Sequence, residues 1–237
     1  MIINCDAKGL EWYCAAYLSQ DKVAMQEIYD GIDQHGSNQK AFGLPTRLIS
    51  KVFLFRIIYA NLKYAAHTYA NDADFMGTSS SKKFWQKVID EFVTKYNGFT
   101  AWHDRLVQEV TQTGRIVMPT GRIYSFDRDK KGEWPITQIY NYPVQGLGAD
   151  IMSIIRISFR KRFIDAGVAG VIINTVHDSI VVDVPKHELP RVAQIFYDVF
   201  NDFPANFKRV FGLEFNLPLR CEILYGNNMK ELEEYGI

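Results

Sequence analysis

Cysteine is scarce in this chain: Cys5, Cys14 and Cys221 are odd in number, far apart and free of CxxC spacing, which argues against a disulfide framework or a structural zinc site and points to a reducing compartment. No apolar run approaches the roughly 20 residues needed to cross a bilayer. The N-terminus lacks the basic and apolar regions of a secretory signal. These absences lead us to expect a soluble intracellular protein with no membrane partner, cytoplasmic in location, or in the host cytoplasm if the source is viral. Net charge is missing as well, 27 Lys and Arg being matched by 27 Asp and Glu. That balance excludes no partner, because a total says nothing about where charges sit. There is no internal repeat and no low-complexity linker. What is present is 47% apolar and 14% aromatic residues in 237 positions, enough to pack one large domain or two smaller ones and to exclude disorder, collagen and coiled coil.

Windows recover what the total hides. Between Asp33 and Asp72 there is no acidic residue, while Lys40, Arg47, Lys51, Arg56 and Lys63 interleave with Phe53, Phe55, Tyr59 and Tyr64. A basic block is most often a solvated face, but this combination also suits phosphates and bases together. Ile2 to Cys5 reads as a short strand ending at Asp6, and Leu10 to Leu18 as a helix. Val23 to Ile32 looks helical. Thr46 is a credible N-cap for a helix from Arg47 to about Ala70. Phe84 to Tyr96 and Thr100 to Thr113 read as helices, and Gly114 to Ser125 as a hairpin. Pro143 is expected to open a helix from Gln145 to about Ala166. Val168 to Val184 is a β-branched run broken at His177-Asp178-Ser179, hence a hairpin with a polar tip. Arg191 to Phe203 reads as helix and Phe215 to Tyr225 as extended chain. Strands at both ends and helices between them define an α+β class with a helical insertion.

Two constellations could carry chemistry. Asp6 and Asp178 each stand at the end of an apolar strand element. Either alone is more often a turn residue. On neighbouring strands of one sheet, the two could hold a pair of divalent ions about 4 Å apart, clamping the attacking and leaving oxygens of an in-line phosphoryl displacement; carboxylates completed by substrate phosphates suit Mg²⁺. The second constellation is the four-residue ladder Arg47, Lys51, Phe55, Tyr59. At about 100° per residue each step drifts about 40°, so the four share one flank of a helix and rise roughly 18 Å along it. The cations suit a triphosphate and the rings a stacked base. An amphipathic helix with core aromatics and solvated cations is the bland alternative.

These residues together resemble the palm and fingers of a family A DNA polymerase, the polymerase I type, nearest to its bacteriophage members. DAKGLEWYCAAYLSQD, Asp6 to Asp21, resembles the family's motif A, with a metal-binding aspartate at Asp6 and a ribose-excluding glutamate at Glu11. Arg47 to Tyr59, RLISKVFLFRIIY, is similar to the R-x3-K-x3-F-x3-Y of motif B, and Val176-His177-Asp178-Ser179 to motif C. His35 matches a fingers histidine that touches the triphosphate. Asn141 and Gln145, within NYPVQGLGAD, match contacts to primer-template. The likeness runs from Asp6 to about Val184 in the family's order and spacing.

The resemblance implies an antiparallel-sheet palm with a helical fingers subdomain, with 1–18 and 137–237 as palm and 19–136 as fingers. It implies template-directed transfer of a nucleotidyl group from dNTP to a primer 3′-hydroxyl. Asp6, Asp178 and Lys51 would be catalytic, with the backbone carbonyl of Ala7 joining the two aspartates around two Mg²⁺ ions, Mn²⁺ being a substitute. Glu11, His35, Arg47, Lys51, Phe55 and Tyr59 would contact the dNTP; Asn141, Gln145 and His177 would contact DNA. The amides could reach minor-groove acceptors shared by all base pairs.

Several positions depart from the pattern. Ala7 to Gly9 replace Tyr-Ser-Gln, Trp12 and Tyr13 replace an aliphatic residue and an arginine, Arg56 and Ala60 stand where glycine is usual, and Thr137 where an arginine is frequent. Ser179 replaces the glutamate of motif C, and Asp183 is read as a surface residue at a strand end rather than its replacement. In the family the thumb, part of the palm and any exonuclease precede motif A. The expectation is therefore one part of a split or truncated polymerase, partnered by a second polypeptide that carries the thumb, the remaining palm and, where there is one, the exonuclease. Exposed apolar surface is expected near Ile2, Ile3 and the C-terminal strand, where the absent strands would pair. A single-subunit RNA polymerase shares motifs B and C, but Glu11 would obstruct a ribose 2′-hydroxyl. A non-catalytic nucleic-acid-binding subunit is the alternative from another class, opposed by the retention of Asp6, Lys51 and Asp178.

Overall fold

The computed structural model describes residues 1–236. They form two compact units, one of Met1–Cys14 with the chain from Gly146 onward, the other Ala15–Gln145. In chain order the elements are β1 (Ile2–Ala7), α1 (Leu10–Ser19), α2 (Lys22–Tyr29), α3 (Gln34–Ala41), α4 (Arg47–Ile57), α5 (Leu62–Ala70), α6 (Lys82–Lys95), α7 (Asn97–Thr113), β2 (Arg115–Val117), β3 (Ile123–Ser125), α8 (Ile136–Asp165), β4 (Val171–Val176), β5 (Ser179–Asp183), α9 (Leu189–Asn201), α10 (Phe203–Phe211), β6 (Cys221–Gly226) and β7 (Glu233–Glu234).

The first unit is built on an antiparallel sheet of order β4-β5-β1-β6-β7. Alternation along β1 buries Ile3, Cys5 and Ala7 and leaves Ile2, Asn4 and Asp6 on the other, half-open face. Period-two alternation is what a sheet covered on one side produces. Register places Ile180 and Ile223 opposite Cys5, on the buried face. α9 contributes Val192, Phe196, Val199 and Phe200 to the core, with Phe196 stacked on Phe159 of α8 at 3.9 Å between centroids. Phe203 and Phe207 of α10 close on Phe215.

The second unit is helical around an aromatic core. One flank of α4 buries Ile49, Ser50, Phe53, Leu54 and Ile57. Phe53 is fully buried, with its ring within about 6 Å of Phe42, Tyr69, Trp85 and Phe92. The Trp85 indole donates to the Ser79 carbonyl at 2.9 Å, the partner a buried indole needs. Asp21, 1% exposed, caps α2 at Val23 and Ala24 and also accepts from the backbone amides of Gly98 and Phe99 in α7. The last residue of the motif A stretch is thus a structural tie between helices. Among the described residues, no helix is long and apolar enough to cross a membrane.

Four expectations need correction. Asp6 lies inside β1 rather than at its end, because β5 pairs through Asp6 and β6 continues the pairing through Ala7. The helix from Arg47 stops at Ile57; Asn61 accepts from the Lys63 amide and starts α5 as a separate helix. α8 begins at Ile136 with Pro143 inside it, so the proline is carried within the first turns rather than opening the helix. The apolar exposure is not at Ile3, which is fully buried in the middle of the sheet, but on the edge strand β4, where Val171, Ile173 and Val176 are 45–57% exposed.

Candidate active site

In the sheet unit, backbone register brings the two aspartates side by side. Asp6 is directly opposite Ser179, and the next amide along, Ala7 N–H, donates to the Asp178 carbonyl at 2.9 Å. His177 and Asp178 form the tight link between Val176 and Ser179, with His177 at φ +50°. A non-glycine residue in the left-handed region carries a conformational cost of about 1–3 kcal/mol. The buried Ser179 hydroxyl donates to the Val176 carbonyl at 3.0 Å, fastening the turn. The serine that replaces a carboxylate thus serves the hairpin. Asp183 lies at the other end of β5, opposite Ile2, too far along the strand to take over that role.

On its other side Asp6 is paired with Glu222 of β6, whose carboxylate stands 3.9 Å from Lys8 Nζ. Directly opposite residues share a face, so Glu222 flanks Asp6. No signal in the sequence marks Glu222; only the register of a distant strand does. The face also carries Asn4, whose Oδ1 is buried without a donor. Among the described residues no group of three His, Cys, Asp or Glu is gathered closely enough to hold a metal by itself. A pair of carboxylates fits Mg²⁺, which takes one or two from the protein and the rest of its ligands from phosphates and water. Glu11 is half-buried in the first turn of α1.

In the helical unit, burial of Phe53 and Ile57 fixes the rotation of α4, and the ladder takes the opposite flank. Arg47 and Lys51 are exposed and Phe55 is half-buried, whereas Phe53 is the core ring. Tyr59 lies beyond the helix end, in a tight turn where its amide bonds the Arg56 carbonyl at 3.3 Å. Its hydroxyl accepts from Gln145 Nε2 at 3.1 Å. Two residues expected on separate parts of the substrate therefore meet. Asn141 lies one turn before Gln145 on α8 and is half-buried.

His35, on α3, packs against Phe55 at 5.9 Å between centroids, which joins α3 to the ladder. Burial, then the Arg47 and Lys51 charges, hold its imidazole below the usual histidine range, with Asp33 opposing. Its Nδ1 is buried without a partner. Arg47 donates through Nε and Nη2 to Oδ2 and Oδ1 of Asp33 at 2.7 and 2.8 Å. Arg56 is committed elsewhere, to Asp72 at 3.2 Å and to Asp74. Asp33 was legible only as the acid that bounds the acid-free, basic window; its contact with Arg47 is tertiary.

The fold is that of a DNA polymerase domain. The POL domain of Pol1 from M. smegmatis, in complex with DNA primer-template and dNTP, superposes with a TM-score of 0.77 over 95% of this chain and 39% of that one, at 20% identity. The profile of DNA polymerase family A matches residues 1–231, and the chain belongs to that family. DNA polymerase I of Aquifex aeolicus is 26% identical over 200 residues, 80% of this chain and 33% of its own length. The DNA polymerase of Bacillus phage SP01 is 26% identical over 207 residues, 81% of this chain and 22% of its own. The chain thus spans a third or less of these curated relatives.

Proposed function

We propose that this chain carries the nucleotidyl-transfer centre of a DNA polymerase, joining dNTPs to a primer 3′-hydroxyl on a template. The observation that carries the reading is the register of β1 and β5, which seats Asp6 beside the Asp178 turn, in a chain that also presents Arg47 and Lys51 outward from α4. Asp6, Asp178 and the Ala7 carbonyl would hold divalent ions, magnesium or manganese in its place, which supply charge neutralisation and activation of the primer hydroxyl. His35, Arg47 and Lys51 would bind the triphosphate; Lys51 would also lie against the leaving phosphates as charge develops there. Neutral at ordinary pH, His35 would donate one hydrogen bond without adding a third cation. Phe55 and Tyr59 would stack near the base pair, Asn141, Gln145 and His177 would contact DNA, and Glu11 would exclude a ribose 2′-hydroxyl.

The grip on the duplex would come from outside these residues. We assign it to a thumb-bearing segment, on a second polypeptide or on the same one, that would dock at the apolar edge of β4, where strand pairing is available. Copurification of a thumb-bearing chain that shields β4 from hydrogen exchange would support this assignment; unchanged β4 exchange in the assembled enzyme would sink it. For the activity itself, single-nucleotide extension of a recessed primer should require the templated dNTP, fail with the matching rNTP, and be abolished by Asp6→Ala or Asp178→Ala. Undiminished incorporation by Asp178→Ala would overturn the catalytic assignment.

A further inference from the structure

Arg47 is not waiting unengaged for a triphosphate. Asp33 takes two of its donors in a two-pronged pair, at 2.7 and 2.8 Å, and that fork is the one a guanidinium offers to a phosphate. The pair is solvent-facing, with 59% of the Arg47 side chain and 51% of the Asp33 side chain exposed, so an anion can reach it. Asp33 stands at the N-cap position of α3, where its carboxylate is drawn first to Arg47 and takes only a weaker hydrogen bond from the Gly36 amide. Space for it is provided by Gly36: a Cβ there would stand 2.7 Å from Asp33 Oδ2. Glycine inside a helix costs roughly 0.5–1 kcal/mol relative to alanine, so α3 gives up helix stability where the carboxylate needs room.

We infer that Asp33 is a positioning residue that competes with the nucleotide's phosphates for Arg47, holding the guanidinium in place while the site is empty and yielding it when a triphosphate arrives. The inference rests on the reading of Arg47 as a triphosphate ligand. Asp33 lowers nucleotide affinity in two ways: its hydrogen bonds must be broken or shared, and its charge offsets one of the two cations, Arg47 and Lys51. In exchange, the long arginine side chain is kept in one geometry, which lowers the ordering cost at binding.

Asp33→Asn isolates the charge, since asparagine is as good at an N-cap as aspartate. The probe is inorganic tripolyphosphate, titrated calorimetrically into the 237-residue chain and its variants, with circular dichroism to verify the fold. Asp33→Asn should bind roughly twofold to fivefold more tightly, the range an exposed ion pair can withhold, and the gain should shrink as salt rises. Gly36→Ala, which crowds the carboxylate without touching its charge, should shift affinity the same way. Asp33→Glu should return it toward wild type. On an Arg47→Ala background, Asp33→Asn should lose most of its effect. Unchanged or weaker binding by Asp33→Asn, with Arg47→Ala still weakening binding, overturns the inference and leaves the triphosphate site standing. If wild type does not bind tripolyphosphate, or Arg47→Ala binds it equally well, the triphosphate reading itself fails, and the inference with it.

Discussion

The two units hold their functional groups by opposite means. In the sheet unit, Asp6 and Asp178 are placed by the backbone: strand register, a fastened turn and a left-handed His177 determine where they stand. In the helical unit the backbone fixes only the flank, through the burial of Phe53 and Ile57, while the end of Arg47 is held by another side chain, Asp33, and exposed Lys51 reaches out on its long stem. Under the proposed function this division is apt: carboxylates that would hold metal tolerate little displacement, which a sheet supplies, and cations that would gather phosphate must reach, which an exposed helix flank allows. Loss of a group in the sheet unit should therefore strike turnover, and loss of one in the helical unit should strike binding or stability.

The largest effect tests the first half of that contrast. Asp178→Ala should lower the incorporation rate at least about a thousandfold, the several kcal/mol that transition-state charge stabilisation provides, with little change in dNTP affinity measured by fluorescence titration. A variant that lost affinity in equal measure would show that the sheet unit binds as well as it reacts, and the contrast would break. The second test separates core from ladder within α4. Phe53→Ala should cost about 3–5 kcal/mol of unfolding free energy in urea melts, since the ring is fully buried. Phe55→Ala should cost less than about 1.5 kcal/mol and weaken dNTP binding instead. Equal destabilisation by both would return the ladder to the bland reading of an amphipathic helix.

Much of this arrangement was legible in the sequence because it depends on local pattern. Apolar and β-branched runs marked β1 and the β4–β5 hairpin, and the four-residue spacing of Arg47, Lys51 and Phe55 marked one flank of α4, with Tyr59 falling just past its end. What stayed hidden depends on partners remote in the chain. The end of α4 before Tyr59 follows from the Asn61 cap as much as from any residue of the ladder. Cys5 and Cys221 come onto adjacent strands, and Glu222 beside Asp6, only because β6 pairs with β1. Pro143 misled because proline usually opens a helix, whereas α8 carries it inside. Asp33 could be seen as a boundary of the basic block but not as a ligand of Arg47, since nothing local joins residues on two different helices.

Acid should separate the units as well. His103 is buried in α7, its ring stacked on Tyr140 at 3.6 Å and hydrogen-bonded to the Ile58 backbone, beside the turn that carries Tyr59. Burial pushes its pKa down to about 3. The folded state therefore keeps the ring neutral where the unfolded chain takes up a proton, below about pH 6.5. Stability linked to His103 is full above that pH and falls as the solution is acidified toward pH 3, by up to about 1.4 kcal/mol per pH unit. Urea melts at pH 7, 5.5 and 4 should show His103→Gln losing less stability on acidification than wild type, even if it starts lower at pH 7. Parallel curves for the two proteins would place the acid-sensitive group elsewhere.

The smallest expected effect lies back in the sheet unit and asks whether its residues can discriminate as well as react. Glu11 sits in the first turn of α1, one short turn after β1, so its position is inherited from the same strand that fixes Asp6. If Glu11 rejects ribose by crowding the 2′-hydroxyl, Glu11→Ala should leave dNTP incorporation within about threefold of wild type while raising rNTP incorporation by roughly tenfold or more, the range a single steric or polar contact controls. The ratio of kcat/KM for the two sugars is the measurement. A fall in both activities together would mean that Glu11 supports the Asp6 strand rather than the sugar, and would move it from the selective to the structural part of a unit whose other groups are held by their backbone.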